Sequence, residues 1–206
     1  MEIIVNNMKT KKGRFIVFYG TNNLGKSTQA KLLIERFNNL NIPFEYIKYP
    51  LYDLAPSGHI LNDYLRNDNP YNLNPREAQI IYALNRTQYQ PELQKKMDQG
   101  INIIAEDYIG TSLAWGMGAG VDINFLEKIN SHLMKEDLAI LFDGERFKNS
   151  IEKNHKHETN EELFKKVKQL HLDLGQKYSW TKINANLSIE EINNKLFKII
   201  QDLLDK

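Results

Sequence analysis

The sequence predicts an α/β fold in which helices cover both faces of a five-stranded, mostly parallel sheet. Short apolar runs of strand length alternate with longer segments of helical spacing, a pattern typical of parallel sheets. A glycine-flanked loop joins the first predicted strand to the first predicted helix. We expect one domain over residues 1–206, because that length suits a single core and no repeat or linker divides the chain.

The first strand and helix flank the most specific motif. Residues 14–19 predict a buried strand and residues 28–37 a helix, and between them runs Gly20-Thr21-Asn22-Asn23-Leu24-Gly25-Lys26-Ser27, a G-x-x-x-x-G-K-S/T phosphate loop. Its glycines let backbone N–H groups face a polyphosphate, Lys26 can reach the β- and γ-phosphates, and the Ser27 hydroxyl can ligate Mg²⁺. The residues expected to hold the nucleotide are Gly20, Asn23, Leu24, Gly25, Lys26, Ser27 and Thr28.

The other elements follow in alternation. Further strands are predicted at residues 42–48, 101–105, 138–142 and 180–184, and helices at residues 58–66, 75–100, 125–134, 160–175 and 189–204. Four glycines between residues 110 and 120, with Trp115 among them, indicate that the backbone approaches something closely there. Glu106 and Asp107 follow the third strand, and since ligands collect at the carboxyl ends of such strands, they suggest a metal or phosphate-transfer site.

Composition excludes several classes of function. A net charge of +1 provides no broad field for nucleic acid or an anionic membrane, and no apolar run reaches membrane-spanning length. The absence of cysteine excludes disulfides and thiolate metal sites, and we expect a cytoplasmic location. Residues 1–12 are interpreted as a leader or edge extension, and the polar residues at about 148–160 as a mobile lid.

The motifs, taken together, resemble the thymidylate kinase family over about residues 14–204. The likeness is carried by the opening stretch at residues 15–33 and by Lys48-Tyr49-Pro50, Tyr82-Ala83-Leu84-Asn85-Arg86, Leu113-Ala114-Trp115 and Trp180 to Ala185. The resemblance implies a P-loop NTPase fold, ATP and Mg²⁺ as cofactors, and transfer of the ATP γ-phosphoryl group to dTMP. A homodimer is expected from the family alone.

The resemblance also implies roles for individual residues. Tyr82 would stack on the pyrimidine, and Arg86 would hold the 5′-phosphate of the acceptor as a bidentate fork. Lys48 would support that phosphate, and Trp115 would crowd the ribose near C2′. The expected substrate-binding set is Asn22, Lys48, Tyr49, Tyr82, Arg86, Asp107 and Trp115.

Two departures from the family pattern concern charge. The family's Asp-Arg-Tyr is Glu106-Asp107-Tyr108 here, so an acid replaces an arginine that faces phosphate. Glu106 can still hold Mg²⁺. Where the family's lid offers arginine, the sequence has residues 154–158, and Lys156 is the nearest substitute. The expected catalytic set is Lys26, Arg86, Glu106 and Lys156.

Structural interpretations stay open beside these roles. Arg86 could form a surface ion pair, and Tyr82 and Trp115 could be packing residues. The two acids could cap a helix or be solvated loop acids. Two other functions also stay open. The acids favour a deoxynucleoside kinase whose 5′-hydroxyl acceptor needs a base, and the arginine-poor lid favours a nucleotide-binding protein with little catalysis.

Overall fold

The protein is a five-stranded parallel sheet between helices, as seen in a computed structural model that describes residues 11–145 and 161–206. The strands are β1 (Phe15–Tyr19), β2 (Phe44–Lys48), β3 (Asn102–Glu106), β4 (Leu138–Asp143) and β5 (Thr181–Asn184). Their order across the sheet is β2-β3-β1-β4-β5, and every pairing is parallel. The predicted fold class is confirmed.

Seven helices connect the strands in the described residues. They are α1 (Lys26–Asn38), α2 (Ser57–Arg66), α3 (Pro75–Asp98), α4 (Ile109–Gly118), α5 (Ile123–Asn130), α6 (Glu161–Lys177) and α7 (Ile189–Leu204). Ser188 and Glu191 form a capping box at the start of α7. The Ser188 side chain accepts from the backbone N–H of Glu191, and the Glu191 side chain accepts from the backbone N–H of Ser188. Asn74 and Glu77 do the same for α3, whose first residue is Pro75.

Both faces of the sheet are buried, because side chains alternate along each strand. Ile16 and Phe18 of β1 pack beneath α1 and α7. Phe15, Val17 and Tyr19 point to the other face, where α3 contributes to the core. Every residue of β1 is fully buried, so the end of this central strand is a rigid base for the loop that follows it.

The glycine-rich residues 110–120 are mostly helical, whereas the sequence indicated only a close approach. That approach is confirmed: a Cβ added to Gly110 would lie 2.4 Å from the Trp180 ring, and one added to Gly118 would lie 2.7 Å from Val167. The glycines therefore let α4 pack tightly against α6 and the start of β5. Tertiary packing offsets the low helix propensity of glycine.

Several predictions fall on residues that the structure does not describe. The lid at about 148–160, with Lys156, lies outside the described residues, as do residues 1–10 of the expected leader. Of that leader, Lys11 donates to the carbonyl of Leu204 at 2.7 Å. None of the described helices has the length and apolar composition required to cross a membrane.

Candidate active site

Three neighbouring strands bring the predicted site residues to one edge of the sheet. In the parallel register Glu106 of β3 lies beside Phe18 of β1 and beside Lys48 of β2. The chain continues from β1 into the phosphate loop at Gly20. Because the carboxyl ends of parallel strands share an edge, the loop, the lysine and the acid meet there.

The phosphate loop has the backbone conformation that its glycines predict. Gly20 and Gly25 have φ values of 122° and 79°, and Asn23 has 64°. A Cβ on Gly20 would lie 2.5 Å from the carbonyl oxygen of Phe142, so no larger residue fits there. Helix α1 begins after Gly25 without a side-chain cap, so its first N–H groups can donate to an anion.

Lys26 lies within the curve of this loop and is only 4% exposed. Its Nζ donates to the carbonyls of Gly20 at 3.0 Å and Thr21 at 2.9 Å. The same atom lies 3.6 Å from the Asp107 carboxylate. The ammonium group is therefore held at the loop, where phosphate oxygens can replace these partners.

Glu106 and Ser27 provide oxygen atoms beside the loop, linked through Tyr46. Glu106 is 1% exposed and accepts from the Tyr46 hydroxyl at 2.6 Å, and Tyr46 also hydrogen-bonds with Ser27. Burial and the Glu106 carboxylate raise the pKa of the Tyr46 phenol, so it stays a donor. Oxygen ligands fit Mg²⁺, which needs few protein ligands when phosphates supply the others. In the described residues, no group of three or more His, Asp or Glu side chains forms a metal site alone.

A cavity of about 490 Å³ opens over the phosphate loop. One end is polar and includes Lys26, Ser27 and Glu106. The other end is apolar and lined by Ala185, Leu187, Ile189 and Ile192, which follow β5 and begin α7. Ile189 is 58% exposed, so an apolar side chain is available to pack on a ligand's flat ring.

A second cavity, of about 130 Å³, adjoins the first. Its lining includes all seven residues predicted to bind substrate: Asn22, Lys48, Tyr49, Tyr82, Arg86, Asp107 and Trp115. Asn22 and Lys48 also line the larger cavity, so they mark the junction between the two. Tyr82 and Trp115 pack in hydrophobic clusters as well as lining this cavity, so their packing and lining roles coexist.

Arg86 is a buried cation with uncharged neighbours. It is 2% exposed, and its Nη2 donates to Ser112 Oγ and Asn130 Oδ1, both at 2.9 Å. Its Nε has no partner, and no carboxylate among the described residues pairs with it. Burial lowers the pKa of Arg86 to about 10. The surface ion pair considered for this residue is therefore wrong, and the guanidinium is available to a ligand.

Two buried phenols lie near Arg86 and are likewise without partners. Tyr49 and Tyr108 contact each other with ring centroids 5.1 Å apart, and neither hydroxyl has a partner among the described residues. Burial raises the pKa of both phenols, so both stay protonated. Unpaired donors of this kind are costly unless a ligand or water satisfies them. Tyr49 lines the second cavity, so its hydroxyl can donate to a ligand bound there.

Asp107 faces the loop lysine instead of capping a helix. It has a φ of 62°, and its Oδ1 accepts from Thr111 Oγ1 at 3.3 Å. Tyr108 is the N-cap of α4 and makes no side-chain capping bond, so the capping role considered for Asp107 is wrong. The 3.6 Å contact with Lys26 partly neutralises the acid in the unliganded site.

A family model described as thymidylate kinase matches residues 18–196 of the chain. The chain belongs to the thymidylate kinase family. The thymidylate kinase of Dictyostelium discoideum is 28% identical over 95% of this chain and 88% of its own length. A probable thymidylate kinase of Thermococcus kodakarensis is 29% identical over 92% and 98% of the two chains.

A solved structure agrees with the fold. The thymidylate kinase of Candida albicans superposes with a TM-score of 0.79 over 93% of this chain and 92% of its own, at 24% identity. The sheet order and helices described above are therefore those of a thymidylate kinase. The P-loop NTPase fold that the resemblance implies is confirmed.

The structure also places residues at these cavities that sequence reasoning missed. Tyr46 donates to Glu106, Ser112 and Asn130 accept from Arg86, and Gln79 and Arg66 line the second cavity. Ala185, Leu187 and Ile189, just beyond β5, line the 490 Å³ cavity. The sequence could have predicted this loop as part of a site, because it follows a parallel strand and ligands bind at the carboxyl ends of such strands. Ser112 and Asn130 meet Arg86 only through tertiary packing.

Proposed function

We infer that the protein transfers the γ-phosphoryl group of ATP to the phosphate of dTMP, giving dTDP and ADP. An oxygen of the acceptor phosphate forms a bond to the γ-phosphorus as the bond to the ADP leaving oxygen breaks. The observation that carries this proposal is the pair of adjoining cavities, which share Asn22 and Lys48 at the mouth of the phosphate loop. A donor and an acceptor bound there would face each other, which is the main requirement of phosphoryl transfer.

ATP fits the larger cavity because its two ends match the two ends of the nucleotide. The triphosphate oxygens would accept hydrogen bonds from the N–H groups of the loop and from the Lys26 ammonium. The adenine would pack against Leu187 and Ile189. Ser27 and Glu106 would hold Mg²⁺, which neutralises charge on the phosphates when bound. Tyr46 would keep the Glu106 carboxylate oriented through its 2.6 Å hydrogen bond.

dTMP fits the smaller cavity with its phosphate at the junction. Lys48 lies at that junction, where its Nζ is 3.8 Å from Glu106 and 54% of the side chain is exposed. Tyr82 and Trp115 would contact the pyrimidine and the deoxyribose. No strong base is needed, because the acceptor phosphate is already ionised at neutral pH.

Arg86 requires its own test, because it lines only the acceptor cavity and not the junction. We keep the prediction that its guanidinium binds the 5′-phosphate. The competing partner is a carbonyl oxygen of the base, which would leave the phosphate to Lys48. Thymidine, which has no phosphate, separates the two. If Arg86→Gln raises the KM for dTMP but leaves the inhibition constant of thymidine unchanged, the phosphate is the partner, and if both rise, the base is.

Three further assignments are also proposals. Lys156 supplies a cation to the transferring phosphoryl group from the lid.

A homodimer forms through α3, whose Ile80 and Leu84 lie one turn apart and are 46% and 38% exposed. Light scattering tests that interface by comparing the molar mass of Ile80→Glu with that of the wild type. We expect the wild type to be a dimer and the variant a monomer. The cytoplasmic location stays a prediction from composition.

The experiment that tests the function is a coupled assay of ADP release with a panel of acceptors. The panel contains dTMP, dUMP, AMP and thymidine, and Lys26→Ala is the blank. We expect dTMP to give the highest turnover and the blank to give none. Turnover with thymidine but not with dTMP would instead favour a 5′-hydroxyl acceptor with Asp107 as its base.

A further inference from the structure

A third, very small cavity lies behind the phosphate loop; it shares Leu24 with the proposed nucleotide cavity and no lining residue with the proposed acceptor cavity. Its volume is about 10 Å³, and its lining includes Thr21 of the loop, Phe142 and Asp143 of β4, and His171 of α6. Thr21 and His171 are each 2% exposed. Thr21 Oγ1 and His171 Nε2 are both buried without a hydrogen-bond partner among the described residues. Neither atom has a role in the mechanism given above.

The hydrogen-bonding capacity of His171 follows from its other ring nitrogen. Nδ1 lies 2.9 Å from the carbonyl oxygen of Val167, one turn earlier in α6. A carbonyl oxygen only accepts, so Nδ1 carries the proton and Nε2 of the neutral ring has a lone pair. Burial and the positive charge of Lys26 favour this neutral ring. His171 therefore presents a buried acceptor to the cavity.

Thr21 presents a hydroxyl, which can donate as well as accept. Its backbone carbonyl accepts from Lys26 Nζ at 2.9 Å, so movement of Thr21 moves a partner of the loop lysine. Leaving two buried polar atoms unpaired is costly, whereas a single water needs only about 10–15 Å³ of such a cavity and two or more polar partners.

We propose that one water molecule bridges Thr21 Oγ1 and His171 Nε2, which makes His171 a positioning residue for the phosphate loop. The water donates one hydrogen to Nε2, and its oxygen accepts the hydrogen of the Thr21 hydroxyl. Through this water, helix α6 would hold Thr21, whose backbone carbonyl accepts a hydrogen bond from Lys26. The inference rests on the proposed function in one respect, namely that the loop binds ATP.

A crystal structure of the nucleotide-free protein at high resolution tests the water directly. We expect density for one water within about 3.2 Å of both Thr21 Oγ1 and His171 Nε2. A dry cavity, or a direct hydrogen bond between the two side chains, would overturn the proposal. This observation needs neither ATP nor an acceptor, so it is independent of the proposed activity.

Two matched pairs of variants test the positioning role. Thr21→Val and His171→Asn each remove one partner of the water, whereas Thr21→Ser and His171→Gln each keep a polar group near the same position. We expect the first pair to raise the Kd for ATP by about tenfold and the second pair by less than about threefold. The KM for dTMP should change little in all four, because the acceptor cavity is separate.

The double variant Thr21→Val/His171→Asn shows whether the two residues act through one water. We expect its Kd for ATP to match that of the worse single variant, since the bridge can be lost only once. Multiplied effects would indicate two independent sites and overturn the bridge. If the first pair lowers only the Tm and leaves ATP affinity unchanged, the role is structural and the proposal fails. The Kd for ATP is measured without acceptor, so absence of dTMP turnover would count against the proposed function alone.

Discussion

His171 predicts a loss of stability in mild acid, because its ring is buried in the neutral form. Burial lowers the pKa of the folded state's His171 from the ordinary 6.5 to about 4, and the charge of Lys26 acts in the same direction. Lys168 and Asp143 line the same cavity and are the other charged groups that face it. The His171 imidazole therefore binds a proton less readily in the folded protein than in the unfolded chain.

The sign and size of the effect follow from this difference in pKa. Above pH 6.5 both states carry a neutral ring, so His171 adds no pH dependence. Between pH 6.5 and about 4 only the unfolded chain takes up a proton, so stability falls as the pH falls. The gap is about 2.5 pH units, which at about 1.4 kcal/mol per unit gives roughly 3.5 kcal/mol in full, of which roughly 3 kcal/mol is reached at pH 4. Well below pH 4 the contribution is constant.

Urea unfolding of the wild type and of His171→Gln at several pH values between 7.5 and about 4 measures this contribution. Carboxylates and the other histidines titrate in both proteins, so their effects cancel in the difference. We expect the variant's stability relative to wild type to improve by roughly 3 kcal/mol as the pH falls across this range. A difference that stays constant with pH would refute the assignment of a buried, neutral His171.

Three further perturbations test other parts of the site. Tyr46→Phe removes the donor to Glu106, and we expect it to raise the Mg²⁺ concentration for half-maximal activity by about tenfold; an unchanged titration would contradict the role of Tyr46. Asp107→Asn removes a negative charge beside the acceptor phosphate, and we expect the KM for dTMP to fall by about fivefold; a rise would show that the acid assists binding. Gly110→Ala would place a Cβ 2.4 Å from the Trp180 ring, and we expect chemical denaturation to show a loss of about 2 kcal/mol, whereas unchanged stability would show that α4 can shift.

The features that the sequence predicted well are those encoded locally. The phosphate loop needs glycines at Gly20 and Gly25, and their positive φ values agree with that need. Acids placed after an apolar run predict a functional strand end, and Glu106 does lie at the end of β3. The long helix α3 begins at Pro75, as the preference of proline for the first turn of a helix predicts.

The features that were missed depend on contacts between distant segments. Helix α4 contains three glycines, which lower its intrinsic helix propensity, and its close packing against α6 and Trp180 cannot be read from its own residues. Arg86 lies on a helix that also has exposed positions, so its burial became visible only with Ser112 and Asn130 in place. Tyr46 reaches Glu106 because β2 pairs with β3, a register that no local pattern specifies.

Phosphoryl transfer itself is tested most directly with ATP labelled in the γ-phosphate. The protein, Mg²⁺ and dTMP are mixed, and the nucleotides are separated to locate the label. We predict labelled dTDP with the wild type and none with Lys26→Ala. Label that stays in ATP or appears only as inorganic phosphate, or equal labelling of dTDP by Lys26→Ala, would contradict a site in which the phosphate loop presents ATP to dTMP.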